Sequence, residues 1–340
     1  MAVFKALLVG AGGMGQNWGR TLKANPEVEV AGWVDVKPGA AAAAADALAL
    51  PGISTGEDLG KALADVKPDF VVDVTIPEAH HAVTLQALAA GVPVLGEKPM
   101  ASTLAEAREM VAASEKSGKL YMVSQSRRYD ARLHALRQLV AEQTGPLGIL
   151  NTDFYIGAHF GGFRDEMASV LLLDMAIHTF DAARYVSGAD PVSVYCEEFN
   201  PEWSWYTGAS SATALFEMTG GLRYTYRGSW ASEGRDTSWE ANWRGVGPRG
   251  TAVWDGTAAA PPSAGVVRGT EGFIRESDTV EGVVRHDAPG GIAGSLADFL
   301  NALQTGETPM GECRDNIKSL AMVFAAIESS ASGRRVRVEV

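Results

Sequence analysis

Short apolar runs alternating with helical spacing open the chain. Val3–Val9 is a compact apolar run ending in glycines, and Phe70–Val74, Val92–Leu95 and Leu120–Val123 repeat it, with Val28–Val34 between. Runs of that length bounded by turn residues are the mark of strands covered on both faces. Between them, apolar or small residues recur at helical spacing: after the glycines through Lys23, over His80–Ala90 and over Thr103–Ser117. The tract Ala40–Ala45 reads as helix too, because alanine is the best helix former. Strands alternating with helices predict right-handed crossovers and a parallel, doubly wound sheet.

After about residue 148 the pattern changes. Ile149–Ile156, Val192–Phe199, Ala212–Met218, Arg223–Ser229, Ser238–Arg244 and Ala252–Trp254 are strand-like runs with few helices between them. They predict an α+β domain with a large, mostly antiparallel open sheet. The expected division is residues 1–125 and 126–340, with the helices after Gly291 and Gly311 free to pack back on the first domain. Residues 256–265, "GTAAAPPSAG", read as a loop.

Charge and cysteine usage narrow the partners. A net charge of −12 without any lysine- or arginine-rich run argues against nucleic acid or an anionic membrane surface. Cys196 and Cys313 are too few for a disulfide framework and lack metal-ligand spacing, so no metal is expected. No stretch approaches the roughly 18 apolar residues of a membrane span, and the apolar start enters glycines where a signal peptide needs a cleavage site. A cytoplasmic protein is expected.

The glycines carry the first chemistry. "GAGGMG" places Gly10, Gly12 and Gly15 in G-x-G-x-x-G spacing, after a strand and before a helix. The first glycine permits a tight turn, the second lets the backbone approach a pyrophosphate, and the third lets helix and strand pack closely. The helix N-terminus then offers N–H groups to the phosphates. Asp35 ends the second strand, twenty residues after Gly15. There it can accept hydrogen bonds from ribose hydroxyls and repel a 2′-phosphate, which favours NAD. Lys37 nearby keeps NADP possible. Ligands of such sheets sit at the carboxyl ends of the strands, so Asp35, Thr75–Pro77 and Glu97-Lys98-Pro99 should line one crevice.

Two further features need explaining. "LGEKPM" at 95–100 sets a lysine on a strand tip beside a proline, which restricts the residue before it. In "VLLLDMAIHTFDAARYVSG", Asp174 and His178 interrupt an apolar helix at i, i+4, which puts both on one face. Spacing alone fits a hydrogen-bonded core pair as well as a catalytic one.

The ordered set resembles the glucose-fructose oxidoreductase / inositol dehydrogenase / MocA family over nearly the whole chain. Its carriers are "GAGGMG" at 10–15, Asp35, "TIPEAHH" at 75–81, "GEKPM" at 96–100, "SRRYD" at 126–130 and "DMAIHTFD" at 174–181. The resemblance implies a nicotinamide-dependent oxidoreductase with Lys98, Asp174 and His178 as its catalytic group and a cis Lys98–Pro99 bond. It implies a cofactor set of Gly10, Gly12, Gly13, Met14, Gly15, Asp35, Thr75, Pro77, His81, Glu97 and Lys98. Tyr129 and His159 are substrate candidates, with bracing of the domain junction and an exposed loop position as their respective alternatives. The chain departs from the family pattern at Ala168-Ser169-Val170, where a glycine triplet is common, and at Ala176 and Ser126. These changes spare the three catalytic positions and alter the pocket walls.

The expected reaction is oxidation of a secondary alcohol on a sugar, cyclitol or related polyol. His178 is the candidate base, Lys98 stabilises the developing alkoxide, and Asp174 holds a hydroxyl or orients His178. A same-fold glycosidase using transient oxidation and a non-catalytic NAD-sensing regulator are the competing readings. Six of the eight tryptophans fall between 203 and 254. Such a cluster suits core or a subunit interface, with stacking on sugar rings as the alternative, and a homodimer or homotetramer through the C-terminal sheet is expected.

Overall fold

The computed structural model describes residues 3–340. The chain divides into two compact units. One runs to Ser126 and resumes over Gly291–Ile317; the other comprises Arg127–Gly290 and Lys318–Val340.

In the first unit, β1 (Phe4–Val9), β2 (Val28–Val34), β3 (Ser54–Gly56), β4 (Phe70–Asp73), β5 (Val94–Gly96) and β6 (Tyr121–Val123) form a parallel sheet. Their order is β3-β2-β1-β4-β5-β6, so the winding reverses between β1 and β4. Crevices at such reversals are where these sheets take ligands. Helices α1 (Gly13–Ala24), α2 (Ala40–Ala47), α3 (Leu59–Val66), α4 (Pro77–Ala89) and α5 (Leu104–Ser117) connect the strands. α5 begins on a reciprocal cap in which the Thr103 hydroxyl accepts from Glu106 N and the Glu106 carboxylate accepts from Thr103 N, both at 3.1 Å. β3 escapes the hydrophobic pattern, whereas α3 carries it in the buried Leu59, Ala62 and Leu63. β3 is only Ser-Thr-Gly and fully exposed, so it holds its place by pairing with Gly32–Val34 and not by burial.

Steric limits fix the turn after β1. Gly10 has φ +100°, and a Cβ there would lie 2.5 Å from the carbonyl oxygen of Val74. A Cβ on Gly15 would lie 2.1 Å from the carbonyl oxygen of Gly10. Helix α1 therefore rests on β1 at backbone contact, and only glycine permits it.

The second unit begins with α6 (Ala131–Leu139) and β7 (Ile149–Tyr155). A π-helical turn, Leu171–Ala176, then leads into α7 (Ile177–Ser187). β8 (Pro191–Phe199), β9 (Ser211–Met218), β10 (Arg223–Ser229), β11 (Asn242–Gly247), β12 (Gly250–Trp254), β13 (Ser263–Val267) and β14 (Ser277–Glu281) follow, and β15 (Val336–Arg337) closes the chain. The nine strands lie in the order β14-β13-β12-β11-β7-β10-β9-β8-β15. Only the β7–β10 pair is parallel. α7 packs its Phe180 ring against Phe216, Tyr224 and Tyr226 at 4.8, 6.2 and 5.3 Å between centroids. Two expectations shift here. The expected loop 256–265 gives its last three residues, Ser263–Gly265, to β13, and β11 starts at Asn242 and not at Ser238 because Ser238–Ala241 forms a turn.

Two last helices follow β14: α8 (Gly291–Thr305) and α9 (Cys313–Ser332). α8 belongs to the first unit, where Phe299 packs on Phe70 at 5.4 Å, and Val123 N donates to Gly311 O at 2.8 Å. Among the described residues no helix is long and apolar enough to cross a membrane.

Replacing Gly15 by alanine should force α1 off β1. Overpacking of this kind costs about 1–3 kcal/mol, so chemical denaturation should show a loss of that size and NAD titration a weakened affinity.

Candidate active site

The glycine turn and the strand ends build one face of the first unit. Gly12 precedes α1 without any side-chain cap, and a Cβ on Gly12 or Gly13 would meet nothing within 4 Å. The first N–H groups of α1 thus face open space, as a pyrophosphate requires. Asp35 is pinned at the tip of β2, accepting from Ala11 N at 2.7 Å and Lys37 N at 2.8 Å. Its carboxylate keeps further lone pairs for ribose hydroxyls. Exposed apolar side chains edge this face: Met14, Val36 and Ile76, with Val36 at 86%. A dinucleotide fits this donor set and these apolar walls.

Beneath the tips of β4 and β5 lies a buried polar network. Glu97 accepts the indole N–H of Trp18 at 2.7 Å and the backbone N–H of Lys98 at 3.1 Å. Burial raises its pKa, while Trp18 and the charge of Lys98 pull the other way. Asp73 accepts the Thr75 hydroxyl at 2.6 Å and lies 3.0 Å from His80 Nδ1. Burial works against charging His80, but the carboxylates of Asp73, Glu97 and Glu78 together outweigh it and the imidazole pKa is raised. Pro77 opens α4 at its first position. The Lys98–Pro99 bond is cis. His81, the other histidine of the pair, pairs with Glu109 at 2.8 Å.

The second unit holds the other predicted residues. From Ser169 to Val186 the chain is buried at every position except Leu173, Asp174 and His178. The two polar residues therefore share the partly exposed side of an otherwise buried helix. The first turn being π-helical was not legible in the sequence; such single turns are frequent at functional sites. Asp174 accepts Arg164 Nε at 3.0 Å and Nη2 at 3.3 Å. Asp181, one turn further, is wholly buried and structural: it accepts from Arg128 Nε and Nη2, each at 2.7 Å, and from Ser319 at 2.7 Å. Tyr129 is buried. His159 stacks on Trp205 at 3.7 Å and pairs with Glu233 at 2.9 Å. The tryptophans divide by role, since Trp230, Trp243 and Trp254 are buried within the unit while Trp203 and Trp239 are exposed.

Trp18, Asp73, His80 and Arg164 take their places beside these residues only in the folded chain. Trp18 alone left a trace, an indole on the helix of the glycine motif.

Comparison with known proteins settles the family. A model described as "Oxidoreductase family, NAD-binding Rossmann fold" matches residues 4–125, and one for the GFO/IDH/MocA C-terminal domain matches residues 104–253. The chain belongs to the GFO/IDH/MocA oxidoreductase family. It is 30% identical to the uncharacterized protein y4oX of Sinorhizobium fredii, over 99% of this chain and 96% of that one. It is 26% identical to the 1,5-anhydro-D-fructose reductase of Ensifer adhaerens, over 84% of this chain and 86% of that one. Its fold matches an Agrobacterium radiobacter oxidoreductase crystallised with NAD+, L-tartaric acid and magnesium, with TM-score 0.84, 23% identity and 98% of both chains covered. This GFO/IDH/MocA chain is thus an NAD(P)-dependent oxidoreductase whose first unit is an NAD-binding Rossmann domain.

A carboxyl at the head of the Asp174 helix gives this unit a pH signature. Glu198 accepts from Ser169 at 3.2 Å, and burial pushes its pKa up to about 7. A pKa raised on folding contributes stability at low pH that disappears as pH climbs through the folded value. Glu198→Gln should therefore flatten the decline in unfolding free energy between about pH 4.5 and 8, measured by denaturant titration across that range.

Proposed function

We propose that this protein transfers hydride between NAD and a secondary alcohol of a sugar, cyclitol or related polyol. The observation carrying this reading is the isolation of Asp174 and His178 as the polar positions left uncovered on a buried helix. Two titratable side chains left partly exposed on one side of an otherwise buried helix are placed where a substrate can meet them. The sugar-reductase relative supports the substrate class.

When bound, NAD supplies the hydride acceptor. His178 takes the proton leaving the substrate hydroxyl, since imidazole titrates near operating pH. Lys98 donates to the reacting oxygen and stabilises the alkoxide charge as it develops. Asp174 accepts a substrate hydroxyl. Glu97, held by Trp18 and by the Lys98 backbone, keeps the strand tip in place. Gly10, Gly12, Gly13, Met14, Gly15, Asp35, Thr75 and Pro77 line the coenzyme side.

The outward face of the second unit's sheet supports self-association. It holds a cavity of about 590 Å³ whose lining includes Tyr155, Phe199 and Trp203. Light scattering after size exclusion should give a dimer or tetramer, and a monomer at micromolar concentration removes this reading.

Lys98→Met should lower kcat by at least about 10²-fold while NAD still binds, as read by NADH absorbance and by NAD titration. Turnover at the wild-type rate would refute the role given to Lys98.

A further inference from the structure

The loop between β7 and the π-helical turn carries a cation that the reaction above does not use. Arg164 grips Asp174 with Nε and Nη2, and its guanidinium carbon lies 5.0 Å from the ring centre of Phe160 and 4.9 Å from that of Phe163. Both rings are exposed, Phe163 at 69%. Asp174 takes two of the arginine's N–H donors, and among the described residues no protein acceptor takes Nη1. The Arg164 side chain is 34% exposed and that of Asp174 15%, so the pair lies where a ligand can reach it.

This arginine is held in place. Trp205 Nε1 donates to Ala158 O at 3.2 Å, and the Tyr206 hydroxyl donates to the same oxygen. Thr207 N donates to Asp165 O at 2.8 Å and Ala209 N to Ala168 O at 2.7 Å. Gly208 lies so close beneath the loop that a Cβ would stand 2.1 Å from Met167 O. The neighbouring Glu166 accepts from Thr207 at 3.2 Å, and one Asp165 carboxyl oxygen is fully buried. The loop thus presents a guanidinium with one edge on Asp174 and another open.

We infer that Arg164 makes this a site for a polyhydroxy acid, its open edge taking the substrate carboxylate while Asp174 accepts a neighbouring hydroxyl. The inference rests on the reading of Asp174 and His178 as the substrate end of the site. A neutral polyol needs only hydroxyl partners, and an Asp174 carboxylate not engaged by Arg164 would offer it more lone pairs. For an anionic substrate the balance reverses. The Asp174 carboxylate by itself disfavours an anion, whereas Arg164 offsets that charge locally and adds planar donors matched to a carboxylate. The flanking rings restrict water around the guanidinium and strengthen its charge interactions.

The test uses the NAD-loaded wild type, Arg164→Gln and Arg164→Lys. Each is titrated calorimetrically with D-gluconate, D-glucuronate and D-galactonate, and with the neutral counterparts D-glucose, methyl D-glucuronate and D-galactose. Circular dichroism checks the fold of each variant. The wild type should bind the acid of at least one pair tenfold or more tighter than its neutral partner. The ratio should fall below about twofold in Arg164→Gln and be partly kept in Arg164→Lys. Equal binding within every pair, no binding of any acid, or an unchanged ratio in Arg164→Gln overturns the inference. Lys98-dependent oxidation of a neutral polyol, indifferent to Arg164→Gln, would remove this inference and leave the proposed function standing. Turnover independent of Lys98 would remove that function instead.

Discussion

Backbone contact between α1 and β1 is the constraint on which the coenzyme half is built. With no Cβ at Gly15, the helix settles onto the carbonyl of Gly10. The same approach brings the wholly buried Trp18 within hydrogen-bond distance of Glu97. It also leaves the uncapped start of α1 facing the open side of the turn. Phosphate donors, strand tip and buried carboxylate are thereby set by one steric fact.

Acidic side chains in this protein divide by what they are bonded to. Asp181 is sealed with Arg128 and Ser319, and losing one partner of such a buried pair costs about 3–5 kcal/mol. That group holds the fold. The Arg227–Asp153 pair, at 2.7 Å but with the arginine 55% exposed, belongs to the class worth about 0–1 kcal/mol. Arg164–Asp174 sits between them: buried enough for charge to matter, open enough for a ligand to reach the guanidinium edge that Asp174 leaves untouched.

How much was legible in the sequence follows from how local each determinant is. Gly10, Gly12, Gly15 and Asp35 could be read because backbone geometry and ribose chemistry demand those residue types at that spacing. The strands β1, β2, β4 and β7–β10 declared themselves by burial. β3 and β14 did not, since Ser-Thr-Gly and Ser-Asp-Thr-Val-Glu carry almost no apolar signal and depend on pairing for their conformation. Trp18 with Glu97, 79 positions apart, and His80 with Asp73 are products of tertiary packing. Of the two adjacent histidines, sequence gave no reason to prefer the one that is buried. The π-helical turn left no mark at all.

The first unit closes only with residues 291–317, after 127–290 have been made. At roughly 5–20 residues per second, that intervening stretch occupies a ribosome for on the order of ten seconds. Throughout that interval the nascent coenzyme fold lacks the α8 cover over Phe70 and the strand-edge partner at Gly311. Its assembly during translation is therefore not strictly vectorial. The emerging chain carries an apolar surface at Phe70 that its own late segment, through Phe299, covers.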